Sequence, residues 1–292
     1  MIFSRRNFFK GLGLMVGSLG LKSLINGKDV YAEEVNNEVK SVAKNQVEVE
    51  WLGHGSVLFT SCKGVRIIID PWISTNPKCP ANYKEKGSFD KIDIILWTHG
   101  HVDHFMLTDA KDMIETYRPK VIAPWELNFF IKSEIPTANC QTFMLGNKGG
   151  QAAFDGIKIT MVEAFHSAGA QLTGFNGANR FVGEAVGYIL EFENGLKIYN
   201  SGDTSLMGDM KTIIGDFYKP DVAVLPIGGV FTMGPEEAAY ACKLIGAKAV
   251  IPNHYGTFPV LVQSPDSFVK QVKKMVPNIK VFGVKPGVKV KV

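Results

Sequence analysis

Five of the six histidines in this 292-residue chain stand at or just past the end of a short apolar run. His99, His101 and His104 lie in Thr98-His99-Gly100-His101-Val102-Asp103-His104, straight after the run at 92–97. His166 follows IKITMVEAF, and His254 follows AKAVIPN. Asp203, in SGDT, stands in the same relation to LKIYN. Runs rich in Val, Ile and Leu, four to eight residues long and closed by turn residues, read as buried strands. A layered sheet gathers the ends of its strands at one rim. These imidazoles and carboxylates, far apart in the chain, are therefore expected to converge.

Further strand-like runs are expected at 47–52, 56–61, 65–69, 120–123, 157–164, 185–191, 196–200, 222–226 and 247–252. Helical patterns fall between them at 108–116, 124–132, 208–217, 235–245 and 264–275. Strands interleaved with helices predict an α/β layered domain. The domain is expected to span 47–292 without an internal linker, preceded by a polar linker at 33–46.

Residues 1–32 have another character. Arg5-Arg6, followed by a short glycine-rich apolar run at 11–21, forms a twin-arginine export signal. That run is shorter than the about 20 apolar residues of a spanning helix. Val30-Tyr31-Ala32 offers a cleavage site after Ala32. The expected location is thus extracytoplasmic, reached through the twin-arginine export machinery, with an uncleaved anchor as the alternative. Five of the 32 basic residues but only one of the 28 acidic ones lie in this segment, so it carries the whole formal charge of +4. The remainder is balanced, which argues against a nucleic-acid partner. Cys62, Cys79, Cys140 and Cys242 show no C-x-x-C spacing and read as mostly buried thiols.

Imidazole and carboxylate together suit zinc, and also manganese, iron or nickel. At this point the chain resembles the metallo-β-lactamase superfamily, with THGHVDH, AFHS, SGDT and NHY as successive ligand motifs. More narrowly it is similar to the UPF0173-type metal-dependent hydrolases, through GHGS, IIIDPW, GEAVGY, SGDTSLMGDM, LPIGGVFTMGPEEAA and IPNHYGTFP. The resemblance covers 47–292 and implies a four-layer αββα sandwich. It implies a first divalent ion on His99, His101 and His166, a second on Asp103, His104 and His254, and Asp203 bridging them.

Two such ions share a water and hold it as hydroxide at neutral pH. The expected reaction is hydrolysis of an ester-like bond, a lactone or phosphodiester, in a small-molecule or lipid-like substrate. β-Lactam or thioester hydrolysis, and a non-catalytic metal-containing sensor, are the alternatives. A related di-iron redox branch has a glutamate where this chain has His101. Asp103 is expected to orient the nucleophile as well as bind metal. His54 lies outside the ligand set: it is a candidate proton donor to the leaving group, a support for a ligand, or a packed residue. Asp70 is either the acceptor for a ligand histidine or a turn cap before Pro71. Gly228-Gly229 allows close backbone approach to ligands or substrate, and Tyr255 is a candidate substrate contact. Trp72 and Trp125 are expected in the core.

Overall fold

Alternation within two apolar runs sets the layering. In the computed structural model, which describes residues 45–141, 145–171 and 179–292, Ile67, Ile69, Ile94 and Leu96 enter one core. Their chain neighbours Ile68, Ile95 and Trp97 enter a second. Strands apolar on both faces belong to a sheet covered on both sides. The expected export signal and most of the expected linker fall in residues 1–44, outside the described residues.

The first sheet begins with β1 (Glu48–Gly53), β2 (Ser56–Thr60) and β3 (Arg66–Ile69). It continues through β4 (Ile94–Leu96), β5 (Lys120–Ile122) and β6 (Asn139–Cys140). The second sheet holds β7 (Gln151–Phe154) and β8 (Ile157–Glu163), with a short ribbon of β9 (Ala170–Gln171) and β10 (Asn179–Arg180) set apart. β11 (Val186–Glu191), β12 (Lys197–Asn200), β13 (Val222–Pro226), β14 (Ala249–Asn253) and β15 (Lys280–Val281) complete it. β16 (Lys289–Lys291) returns to the first sheet beside β1.

The two sheets repeat one pairing scheme. β16-β1-β2-β3 pair antiparallel and β3-β4-β5-β6 parallel. Likewise β7-β8-β11-β12 pair antiparallel and β12-β13-β14-β15 parallel. Parallel neighbours need a crossover, usually helical. Here α1 (Leu107–Tyr117) and α2 (Trp125–Glu134) serve the first sheet. A wide π-type helix at Met210–Tyr218, α3 (Pro235–Ile245) and α4 (Asp266–Met275) serve the second.

Ala110, Met113 and Ile114 of α1 and Leu127, Phe130 and Ile131 of α2 cover the outer face of the first sheet. Between the sheets lie Val49, Trp51, Val57 and Phe59 from one side and Ile159, Met161, Tyr188 and Leu190 from the other. With α3 and α4 outside the second sheet, the layers are helix, sheet, sheet, helix: the αββα sandwich. Each parallel half ends its strands toward the same rim.

Two expectations need correcting. Trp72 is buried, but Trp125 is 37% exposed, because it opens α2 ahead of the inward face formed by Leu127, Phe130 and Ile131. The four thiols are free, yet only Cys79 and Cys242 are buried, Cys62 and Cys140 being partly exposed.

Candidate metal centre

The site starts from the parallel pair β3 and β4. Asp70 directly follows β3 in the left-handed region, at φ +48°, and its backbone N–H donates to Leu96 O. That bend turns its carboxylate toward the next loop. Thr98 donates its backbone N–H to Asp70 Oδ1 (2.7 Å) and its hydroxyl to Oδ2 (2.6 Å). His104 Nδ1 lies 2.8 Å from the same Oδ2. Asp70 is thus the acceptor for a histidine rather than a turn cap.

These contacts fix two tautomers. Asp70 can only accept, so His104 carries a proton on Nδ1 and turns Nε2 into the site. Thr98 has given its one proton to Asp70, so the 2.9 Å contact to His99 Nδ1 is donated by the imidazole. His99 Nε2 is left bare.

That bare nitrogen lies 3.0 Å from His101 Nδ1, which lies 3.3 Å from His166 Nε2. Burial pushes all three imidazoles below the ordinary histidine value, His99 well below. Three convergent, neutral ring nitrogens are a ligand set for a cation. His54, Asp103, His104 and His254 form a neighbouring group with one ligand atom each within 4.8 Å of the others. The two groups meet at Asp203. Its Oδ2 stands 3.0 Å from His254 Nε2, 3.2 Å from His104 Nε2 and 3.6 Å from His166 Nε2.

The residues fit metal on two further counts. His104 Nε2 is buried and, although Asp203 Oδ2 lies 3.2 Å away, makes no aligned hydrogen bond, which suits a ligand atom aimed at an ion. Asp70, Asp103 and Asp203 form ion pairs, among the described residues, with imidazoles only and with no lysine or arginine. Buried carboxylates without such compensation call for another cation. Burial opposes the charge on His104, but Asp203 and Asp70 overcome it and hold this imidazole well above its ordinary value. Burial likewise opposes the charge on Asp203, and His104 and His254 hold its carboxyl well below the usual range.

Two glycines set the approach. A Cβ on Gly55, in the β1–β2 turn, would come 2.4 Å from His104 Cε1. A Cβ on Gly228 would come 2.1 Å from His254 O. The diglycine therefore lets backbone press against a ligand histidine.

The structure brings all seven expected ligands together and puts His54 beneath them. Its ring is fully buried, packed 3.8 Å from the His254 ring and edge-on to Trp72 and Phe258. Nε2 donates to Asp103 Oδ2 at 3.0 Å, and Nδ1 is buried without a partner. Burial lowers its pKa to about 4. It is a neutral donor to Asp103, not a group facing the cleft. Tyr255 also turns inward, stacking on Trp51 and donating its hydroxyl to Val284 O.

Above the ligands opens a cleft of about 670 Å³. Its floor is His101, Asp103, His166, Asp203 and His254, and one wall is Val230, Phe231, Phe258 and Val260. That wall, and the part played by Thr98, escaped the sequence reading. The threonine's position directly before the first ligand was the available signal.

Residues 65–255 match the beta-lactamase superfamily domain. A UPF0173 metal-dependent hydrolase of Rubrobacter xylanophilus is 38% identical over 239 residues, 82% of this chain and 94% of that protein. One from Methanobrevibacter smithii is 40% identical over 242 residues, 82% of this chain and 95% of that one. Among solved structures, Igni18, a metallo hydrolase from Ignicoccus hospitalis, superposes with a TM-score of 0.71 at 31% identity. That match covers 85% of this chain and 98% of the other.

Proposed function

This chain belongs to the UPF0173 metal-dependent hydrolases of the metallo-β-lactamase superfamily, and from that premise we propose that it cleaves an ester-like bond, a lactone or phosphodiester, at a centre of two divalent ions. The observation that carries the dinuclear reading is Asp203 Oδ2, within 3.6 Å of nitrogens belonging to both ligand groups. On this reading His99, His101 and His166 would hold one ion and Asp103, His104 and His254 the other, with Asp203 available to both. Zinc suits the donor set best, with manganese, iron and nickel sharing its preferences.

When bound, the ions supply Lewis acidity and lower the pKa of a water to near neutrality. The chain supplies the rest. Asp70 and Thr98 hold the His104 and His99 imidazoles in one tautomer, with Nε2 of each turned toward the ion site. Asp103, half in the cleft, is oriented by His54 and accepts a hydrogen bond from the attacking water. Water adds across the bond: its oxygen joins the acyl or phosphoryl centre, and its protons end on the released alcohol and acid.

Elemental analysis of protein purified without chelator tests this, with about two ions per chain expected from the two ligand groups. A count of zero or one after reconstitution refutes the dinuclear centre. Hydrolysis of a panel of neutral lactones, phosphodiesters and β-lactams separates the substrate classes, and activity confined to β-lactams refutes the ester reading. Export rests on Arg5-Arg6. The Arg5→Lys/Arg6→Lys chain should stay in the cytoplasm uncleaved, and its appearance outside would remove the twin-arginine assignment.

A further inference from the structure

The wall over the metal ligands is built from apolar side chains held out into solvent. Val230 is 71% exposed, Val260 61% and Phe231 56%. Phe258 stands at their foot, its ring 5.3 Å from that of His54.

Two loops carry these residues, and backbone hydrogen bonds fasten them together. Val262 N–H donates to Gly228 O (2.9 Å), joining the loop after β14 to the loop after β13. Met233 N–H donates to Thr204 O (3.1 Å), tying the second loop to the residue after Asp203. Gly229 N–H closes the loop on Met233 O (3.0 Å). The wall is therefore registered against the ligand set.

Val230 is strained. Its φ is +58°, a left-handed conformation that a β-branched residue adopts rarely and at a cost in backbone strain. Burial does not repay that cost, since the side chain is mostly in water. A glycine would relieve it. A valine in its place presents an isopropyl group to the cleft.

Charge points the same way. Among the described residues, no lysine or arginine lines the cleft; its charged groups all belong to the metal set. A substrate bearing a further anionic group would find no counter-ion on this wall.

We propose that Val230, Phe231, Phe258 and Val260 form a subsite for a neutral, apolar substituent, an alkyl or acyl chain next to the hydrolysed bond. This rests on the hydrolase reading above. It makes the enzyme selective for chain length, because each methylene laid on the wall leaves water. Full burial of a methylene is worth about 0.8 kcal/mol, roughly a factor of four. On a wall open to solvent, about half that free energy, roughly twofold per methylene, is the expected gain.

The test uses metal-loaded protein and γ-lactones with alkyl side chains from ethyl to decyl, together with chains of the same length ending in a carboxylate. The expected result is kcat/KM rising roughly twofold per methylene for the neutral series and falling for the carboxylate series. Val230→Gly and Phe231→Ser should flatten the slope, and Val230→Gly should fold at least as stably as the parent. A second arm measures binding of the corresponding alkyl lactams, as slowly hydrolysed stand-ins, by titration calorimetry. Lactone hydrolysis with a flat slope, or a preference for the carboxylates, overturns the subsite and leaves the hydrolase reading standing. If no lactone is cleaved, lactam affinity that rises with length and falls in both variants upholds the subsite while the lactone reading fails. Affinity indifferent to length overturns it.

Discussion

Asp70 takes three hydrogen bonds on two oxygens, and through them it governs ligands it never shares an ion with. Asp70→Asn keeps the shape but puts an amide N–H opposite the Thr98 hydroxyl and His104 Nδ1–H, where only an acceptor fits. His104 and His99 then lose their fixed tautomers. Metal affinity should fall about 10- to 100-fold, the range for partners of ligand histidines, in a competition titration with a chromophoric chelator. Unchanged affinity would show that the carboxylate serves folding alone. His54 makes a different prediction, because it is buried and touches Asp103 rather than the cleft. His54→Ala should retain both ions and lower kcat by a similar factor for good and poor leaving groups alike. A loss confined to poor leaving groups would restore it as a proton donor. The convergence of these imidazoles and carboxylates was legible because the runs before them are apolar and end at one rim. Their tautomers were not, since these depend on Asp70, 34 positions from His104. Nor was the burial of His54, whose Gly-His-Gly setting looks like an open turn.

At the level of elements, the β1–β2 hairpin works as a shim. Gly53 and His54 take φ values of +97° and +54°, and Gly55 then passes the His104 ring with no room for a methyl group. Gly55→Ala forces His104 off Asp70, or the hairpin off its sheet. A loss of about 1–3 kcal/mol is expected from overpacking, with weaker metal binding. Gly208→Ala is the control, since nothing lies within 4 Å of its added Cβ. Thermal melts of the two variants decide the matter: equal midpoints would mean that the hairpin yields freely. Among the described residues, the principal strands and the five longer helices were legible from their apolar spacing, whereas the short helix at Ala81–Tyr83 was not. The edge strands were not. β16 reads Lys-Val-Lys and β6 Asn-Cys, too short and polar to announce themselves, and their partners alone make them strands.

Across the whole molecule, neither sheet owns a complete site. Loops of the first sheet supply His99, His101, Asp103 and His104, and loops of the second supply His166, Asp203 and His254. On the proposed assignment each ion ties one sheet to the other. An ion at about a thousandfold excess over its Kd stabilises the folded state by about 4 kcal/mol per site. Calorimetry with and without chelator should therefore show a lower midpoint for the stripped protein, and identical midpoints would deny that the ions bridge the sheets. The converging rim was legible as a consequence of layering, whereas the repeated pairing scheme was not, because pairing is written in no single segment. The clasp between β1 and β16 has a consequence in time. Val47 and Val292 exchange both backbone hydrogen bonds, so the outer edge of the first sheet is made from a segment synthesised after every other described strand. β1 is synthesised before all the other described strands and waits, one side bare, until β16 is made. The first sheet is therefore completed only after the second has been synthesised, and the bare edge is the surface a chaperone would have to guard until then.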